Sequence, residues 1–160
     1  MSDVPVSDAI TRKLEALGIV LPTPAAPLAN YVPFAVTGNL VVVSGQGPVE
    51  NGKPVFTGKL GEGLTIEQGQ QAARLCFVNV LAQLRAACGG DLSRVRRVLR
   101  LGGFIAAPAS FTQHAQVMNG ASDLAVAVFG DAGRHARTTV GVPSLPADFA
   151  VEVEGLFEIA

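Results

Sequence analysis

Tryptophan is missing from the sequence, tyrosine occurs once, cysteine and histidine twice each, and only 16% of residues are charged. Each shortage excludes something. Without interleaved aromatics there is no platform on which bases could stack. Two cysteines do not make a disulfide framework. Cys76 and Cys88 fall in one helical pattern twelve residues apart, or about 18 Å along the axis at roughly 1.5 Å per residue. A disulfide needs Cα atoms within ~7 Å, so both read as buried free thiols. His114 and His135 have no cysteine or acid at metal-ligand spacing, which excludes a structural zinc site or a His-Glu-x-x-His protease. They read as surface or helix-end groups. Charge of either sign is scarce: 12 Lys+Arg against 13 Asp+Glu leave a net charge of −1. No global field pulls such a chain onto DNA, RNA or anionic lipid. No apolar run approaches the ~20 residues of a membrane span. The N-terminal MSDVPVSDAITRKLEALG carries acids and helical periodicity in place of a basic start and an apolar block, so no signal peptide is expected. A cytoplasmic location is the expectation.

What is present is a globular composition, 49% hydrophobic over 160 residues, enough for one domain with its own core. We read residues 1–160 as that single domain, with 1–26 as an N-terminal helix and proline-rich arm. Ser7 to Leu17 is a short amphipathic helix, capped by Ser7 and stopped by Gly18. Pro22, Pro24, Pro27 and Pro33 then make an extended, semi-rigid arm. Leu40–Ser44 is a β-branched run of the kind buried on both faces. Asn51-Gly52 signals a type I′ hairpin. Thr65 opens the longest helix through a capping box with Gln68, and Phe77, Val80, Leu81, Leu84 and Cys88 form its buried stripe. Val95–Ala107 is a strand with a bulge or a close backbone approach at Gly102-Gly103. Ser110 caps a second long helix to about Phe129. Strands His135–Val142 and Phe149–Ile159 follow. In the last, Val151, Val153, Phe157 and Ile159 face one way and Glu152, Glu154 and Glu158 the other. The expected class is α+β: a mixed sheet with two long helices on one face, and a second face that is wet or covered by another subunit.

Most motifs fail on inspection. Gly47 to Pro54 nearly spells a phosphate loop, but Pro54 stands where a magnesium-binding hydroxyl belongs and no helix follows. Gly61-Glu-Gly63 lacks the third glycine of a dinucleotide fingerprint. Ser44, in VVVSGQG, lacks the first glycine of a nucleophile elbow. Arg94, Arg96 and Arg100 share a strand face that could track phosphates, though a solvated or salt-bridged edge explains them better. Ala136-Arg137-Thr138-Thr139-Val140 is more informative. On a strand Arg137 and Thr139 point to one side, with Ala136, Thr138 and Val140 turned into the core. A guanidinium beside a hydroxyl suits capture of a small carboxylate; a pairing of Arg137 with Glu152 or Glu154 on the next strand is the structural alternative.

PLANYVPF at 27–34, LVVVSGQGPV at 40–49, ARTTV at 136–140 and LPADFAVEVEGLFEIA at 145–160 occur in one order. Together they resemble the Rid imine deaminases, the YjgF family often labelled endoribonuclease L-PSP, from about Pro24 to the C-terminus. The resemblance implies a fold like that of trimeric chorismate mutase, with three subunits around a barrel-like centre and clefts between subunits. It implies hydrolysis of 2-aminoacrylate and related imines to 2-keto acids and ammonia, with no cofactor or metal. By position it makes Arg137 the grip on the substrate carboxylate and Glu152 the acid that orients or activates water. Tyr31, Ser44, Asn119 and Thr139 become substrate-binding positions. Asn119 fits after a one-residue insertion, and Thr139 stands where many deaminases have cysteine. The helix at 7–17 and the longer loop at 131–135 resemble a longer branch of the family. Two other functions are weighed: a non-catalytic trimer that binds or senses small carboxylates, and a ribonuclease or translation inhibitor. The near-neutral charge and single tyrosine argue against the last.

Overall fold

Alternation along the C-terminal strand divides the molecule into two sides. The computed structural model describes all residues except 1–5, 25 and 28. In chain order its elements are α1 (Val6–Ala16), β1 (Phe34–Thr37), β2 (Leu40–Gln46), β3 (Val49–Glu50), β4 (Lys53–Pro54), β5 (Lys59–Leu60), β6 (Gly63–Leu64), α2 (Ile66–Ala87), β7 (Val95–Ala106), α3 (His114–Phe129), β8 (Ala136–Val142) and β9 (Val151–Ile159). The main sheet runs β1-β2-β9-β7-β8, with every neighbour antiparallel except the parallel pair β7–β8. It is the expected mixed sheet.

Val151, Val153, Gly155, Phe157 and Ile159 are buried under the helices, while Glu152, Glu154, Leu156 and Glu158 point the other way and stay half-exposed. α2 lies against this buried face and against α3. The helix begins as expected, Thr65 and Gln68 closing a reciprocal capping box that satisfies two otherwise orphan amide donors. Phe77, Val80, Leu81 and Leu84 are fully buried. Cys76 and Cys88 are free, buried thiols, and Cys76 donates to the Val151 carbonyl at 3.4 Å. Asn51 and Gly52 both take positive φ between β3 and β4, as a type I′ turn requires. Gly18, at φ +70°, ends α1. The cap assigned to Ser7 rests on a side chain outside the described residues, and the helix already starts at Val6.

Four expectations need correction. β2 is buried on one face only: Val41 and Val43 are inside, while Val42 is 50% exposed, because no described element covers the other side of the sheet. α3 starts at His114, not after Ser110. The Phe111 amide bonds back to the Pro108 carbonyl in a turn, and the Phe111 ring packs edge-on against His114. On β8, Ala136, Thr138 and Val140 are exposed instead of buried, and Arg137 and Thr139 take the helix-covered side. The register explains this: Arg137 sits opposite buried Leu101 and Thr139 opposite Gly103, whereas Thr138 and Val140 sit opposite Gly102 and Phe104 on the open side. The arginine run does not share a face either. Bulges between Val95 and Arg97 and between Val98 and Arg100 break the alternation. Arg94 instead bonds the carbonyls of Cys88 and Ala160. At Gly102-Gly103 the close approach is what occurs: a Cβ at Gly102 would meet the Glu154 carboxylate, and one at Gly103 the Met118 sulfur.

Candidate functional site: two half-sites on opposite faces

The six expected site residues fall into two clusters. The first lies where β8, the edge strand, passes under α3. Arg137 is half-buried there, and its Nη1 donates both to Asn119 Oδ1 at 2.9 Å and to Ser122 Oγ at 3.1 Å. Asn119 and Ser122 are three apart on α3 and so share a helix face. Nη1 carries two hydrogens, and both have acceptors. Among the described residues Nε and Nη2 have none. Thr139, two positions on, keeps its hydroxyl oxygen buried without a hydrogen-bond partner. An unmet buried hydroxyl costs about 1–3 kcal/mol, which a bound polar group could offset.

The second cluster is on the open face, around the β2 bulge between Val43 and Gln46. Ser44 donates its hydroxyl to the Val32 carbonyl at 2.8 Å, tying the proline-rich arm to the sheet. Tyr31, one residue before, is 52% exposed. Gln46 Nε2 donates to the Ser44 carbonyl at 3.0 Å and braces the loop. Gly45 is the reason Glu152 can lie here, since a Cβ at that position would fall 2.8 Å from the Glu152 carboxyl carbon. Glu152 is half-buried and forms none of the described ion pairs. Burial, and then the nearby Glu154 charge, raise its carboxyl above the usual range. Glu154 itself is paired with Arg100 at 3.4 Å.

One chain does not join the clusters. Arg137 and Glu152 lie on opposite faces of the sheet, with β7 between their strands. The alternative pairing of Arg137 with Glu152 or Glu154 is therefore not what forms: α3 supplies its partners. A cleft of about 520 Å³ beside α1, lined by Leu14, Glu15, Arg85 and Asp91 among others, contains none of the six residues. Among the described residues no three His, Cys, Asp or Glu side chains group as metal ligands, and no helix is long and apolar enough to cross a membrane.

Sequence reasoning missed Ser122 and His135. His135 Nε2 lies 2.9 Å from Ser122 Oγ, and Nδ1 lies 2.6 Å from the Gly133 carbonyl. The signals were Ser122 one turn after Asn119, and His135 at the same strand parity as Arg137 and Thr139.

The family profile described as "YjgF/chorismate mutase-like, putative endoribonuclease" matches residues 11–158. The chain belongs to the YjgF/chorismate mutase-like family. It is 47% identical over 157 residues to Protein TCP17 of Trypanosoma cruzi, covering 98% of each chain. The crystal structure of protein Atu1372 from Agrobacterium tumefaciens superposes with a TM-score of 0.92 at 48% identity, over 97% of this chain and 95% of that one. Escherichia coli TdcF, crystallised with bound serine, shares the YjgF fold with a TM-score of 0.62 at 22% identity, over 86% of this chain and 94% of that one. The YjgF fold is thus common to both, and this chain carries additional length relative to TdcF.

Proposed function

We propose that this protein hydrolyses small imines and enamines of the 2-aminoacrylate type to 2-keto acids and ammonia, in a cleft completed between subunits of a homotrimer. The observation that carries the reading is the sorting of the site residues into two clusters that one chain keeps apart. Arg137, Asn119 and Thr139 of one subunit would face Tyr31, Ser44 and Glu152 of the next. A neighbouring copy would also cover the open sheet face, where Val42 and Val140 are 50% and 44% exposed.

The chemistry asks little of the protein. Arg137 holds the substrate carboxylate by charge-assisted hydrogen bonds. The enamine, as its imine tautomer, presents a C=N carbon to one positioned water. Water oxygen adds to that carbon while Glu152 accepts a water proton and returns it to the nitrogen, giving a carbinolamine. Glu152 then takes the hydroxyl proton and passes it to the amine as the C–N bond breaks, so that ammonia leaves a 2-keto acid. In its ionised form a carboxyl raised in this way is a better base than an ordinary one. No cofactor enters this sequence.

A second reading, non-catalytic binding of a small carboxylate at the same cleft, is favoured by the serine bound to TdcF. It needs Arg137 but not Glu152. The endoribonuclease in the family's description ranks third, since Arg94 is bound to carbonyls and Arg100 to Glu154 in place of facing phosphates. The deciding experiment measures ammonia and keto-acid release from freshly generated 2-aminoacrylate and from bulkier imines. Release above the uncatalysed rate, lost in Glu152→Gln, supports the enzyme; pyruvate binding without release supports the binding protein.

A further inference from the structure

Arg137 can capture a carboxylate with two parallel hydrogen bonds in either of two ways: end-on through Nη1 and Nη2, or side-on through Nε and Nη2. The structure distinguishes them. Both Nη1 hydrogens are directed at acceptors, Asn119 Oδ1 at 2.9 Å and Ser122 Oγ at 3.1 Å. The end-on mode would require one of these to be broken.

Ser122 is held in turn. The Gly133 carbonyl oxygen can only accept, so His135 Nδ1, 2.6 Å away, must carry the hydrogen between them. With the ring neutral, Nε2 then offers a lone pair, and Ser122 Oγ at 2.9 Å donates its single hydrogen to it. The hydroxyl is then left with lone pairs alone toward Arg137. The chain of directions is closed: Gly133 fixes His135, His135 fixes Ser122, and Ser122 with Asn119 fixes Nη1. If His135 carried its hydrogen on Nε2, both it and Arg137 Nη1 would donate to one serine oxygen, and the Gly133 carbonyl would face a lone pair.

Resting on the reading of Arg137 as the carboxylate grip, we propose that Ser122 and His135 are positioning residues for Arg137, and that they dictate side-on recognition of the substrate carboxylate through Nε and Nη2. Neither residue touches substrate. Their effect is on which edge of the guanidinium faces the cleft, and so on the orientation of the C=N carbon relative to the attacking water. This also fits the three-residue spacing of Asn119 and Ser122, which presents two acceptors to one nitrogen.

The test combines spectroscopy with a binding series in the full chain. Long-range ¹⁵N–¹H correlation spectra of the parent protein at neutral pH should show His135 as the Nδ1–H tautomer. Observation of Nε2–H would overturn the proposal whatever the variants do. Pyruvate affinity is then measured for Arg137→Ala, Ser122→Ala, His135→Asn and His135→Gln. Ser122→Ala and His135→Asn should weaken binding by about 3- to 10-fold, the range of one net hydrogen bond. In imine turnover KM should rise and kcat should fall as well, because the edge presented sets both the grip and the aim of the C=N carbon. His135→Gln, whose amide oxygen can still accept from Ser122, should recover most of the affinity, which a merely structural role for the ring would not produce. If Arg137→Ala binds pyruvate like the parent, the reading of the grip itself fails. If Arg137→Ala loses binding while Ser122→Ala and His135→Asn retain it, the grip stands and the positioning role falls.

Discussion

The two faces of the main sheet are made from the same strands and behave differently. Beneath α2 and α3 every odd position of β9 from Val151 to Ile159 is buried, and adjoining strands add Val41, Val43, Val98, Leu101 and Ile105. That face is finished within one chain. The opposite face mixes exposed Val42 and Val140 with Glu152, Glu154, Glu158 and Arg100, and no described element covers it. A sheet face that is part apolar and part charged, with a half-buried carboxyl in its middle, is neither a core nor an ordinary wet surface. The difference teaches where to look for function. The covered face orders Arg137 through α3; the open face holds Glu152 against Gly45, next to Ser44. The proposed chemistry would draw on both, and so on a second copy.

The largest expected effect breaks the open-face half. Glu152→Gln keeps size and hydrogen bonding but cannot accept a proton at neutral pH. Imine turnover should fall by ~10²- to 10⁴-fold, the usual loss with a general base. Pyruvate binding should persist, slightly tightened by removal of a negative charge. Steady-state ammonia release together with calorimetric pyruvate titration checks both arms. Unchanged turnover would remove Glu152 from the mechanism.

Arg137→Ala breaks the covered-face half. A charge-assisted grip contributes roughly 1.5–3 kcal/mol, so affinity for pyruvate should drop by about one to two decades with the fold intact. Circular dichroism alongside the titration separates lost binding from lost folding.

Neighbouring residues on one strand sharpen the contrast between faces. Val41→Ala removes two methyl groups from a fully buried site and should cost about 2 kcal/mol of stability in denaturant melts, at any protein concentration. Val42→Ala touches nothing in the chain's own core. Its effect should appear as a melting temperature that depends more steeply on protein concentration, because association stabilises by mass action. Equal, concentration-independent losses at both positions would mean that no copy covers the open face.

Much of this division was legible in the sequence. The β9 alternation, the Thr65 capping box and the Asn51-Gly52 turn are local patterns whose physics involves only near neighbours, and each forms as the residues indicate. β8 was read backwards because ARTTV alternates polar and apolar groups without revealing which side meets a helix. That is set by register against β7, and there Leu101 and Gly103 lie opposite Arg137 and Thr139. The start of α3 was missed for a related reason: Ser110 is a good cap in isolation, but the turn from Pro108 to Phe111 holds it outside the helix. The residue types of the site were visible through the family resemblance. Their separation onto two faces was not, because it depends on β7 intervening between β8 and β9.

The smallest expected effect concerns the tuning of Glu152 by its own strand. Burial is the main cause of its raised carboxyl, and the Glu154 charge is the second. Catalysis as a base requires the ionised form, so the rate should fall on the acid side as pH drops through this raised value, above where an ordinary carboxylate would set the limit. Glu154→Gln removes the second cause and leaves the first. The ionised form becomes easier to reach, and the acid limb of the kcat/KM profile should move to lower pH while the plateau rate stays nearly constant. The shift is kept small by Arg100, which already neutralises part of the Glu154 charge at 3.4 Å in a half-exposed pair. Arg100→Gln should therefore act in the opposite sense, moving the limb to higher pH by leaving Glu154 unpaired. Opposite shifts from the two variants would show that the open face sets the protonation of its own base; shifts in the same direction would assign the pH dependence to a group other than Glu152.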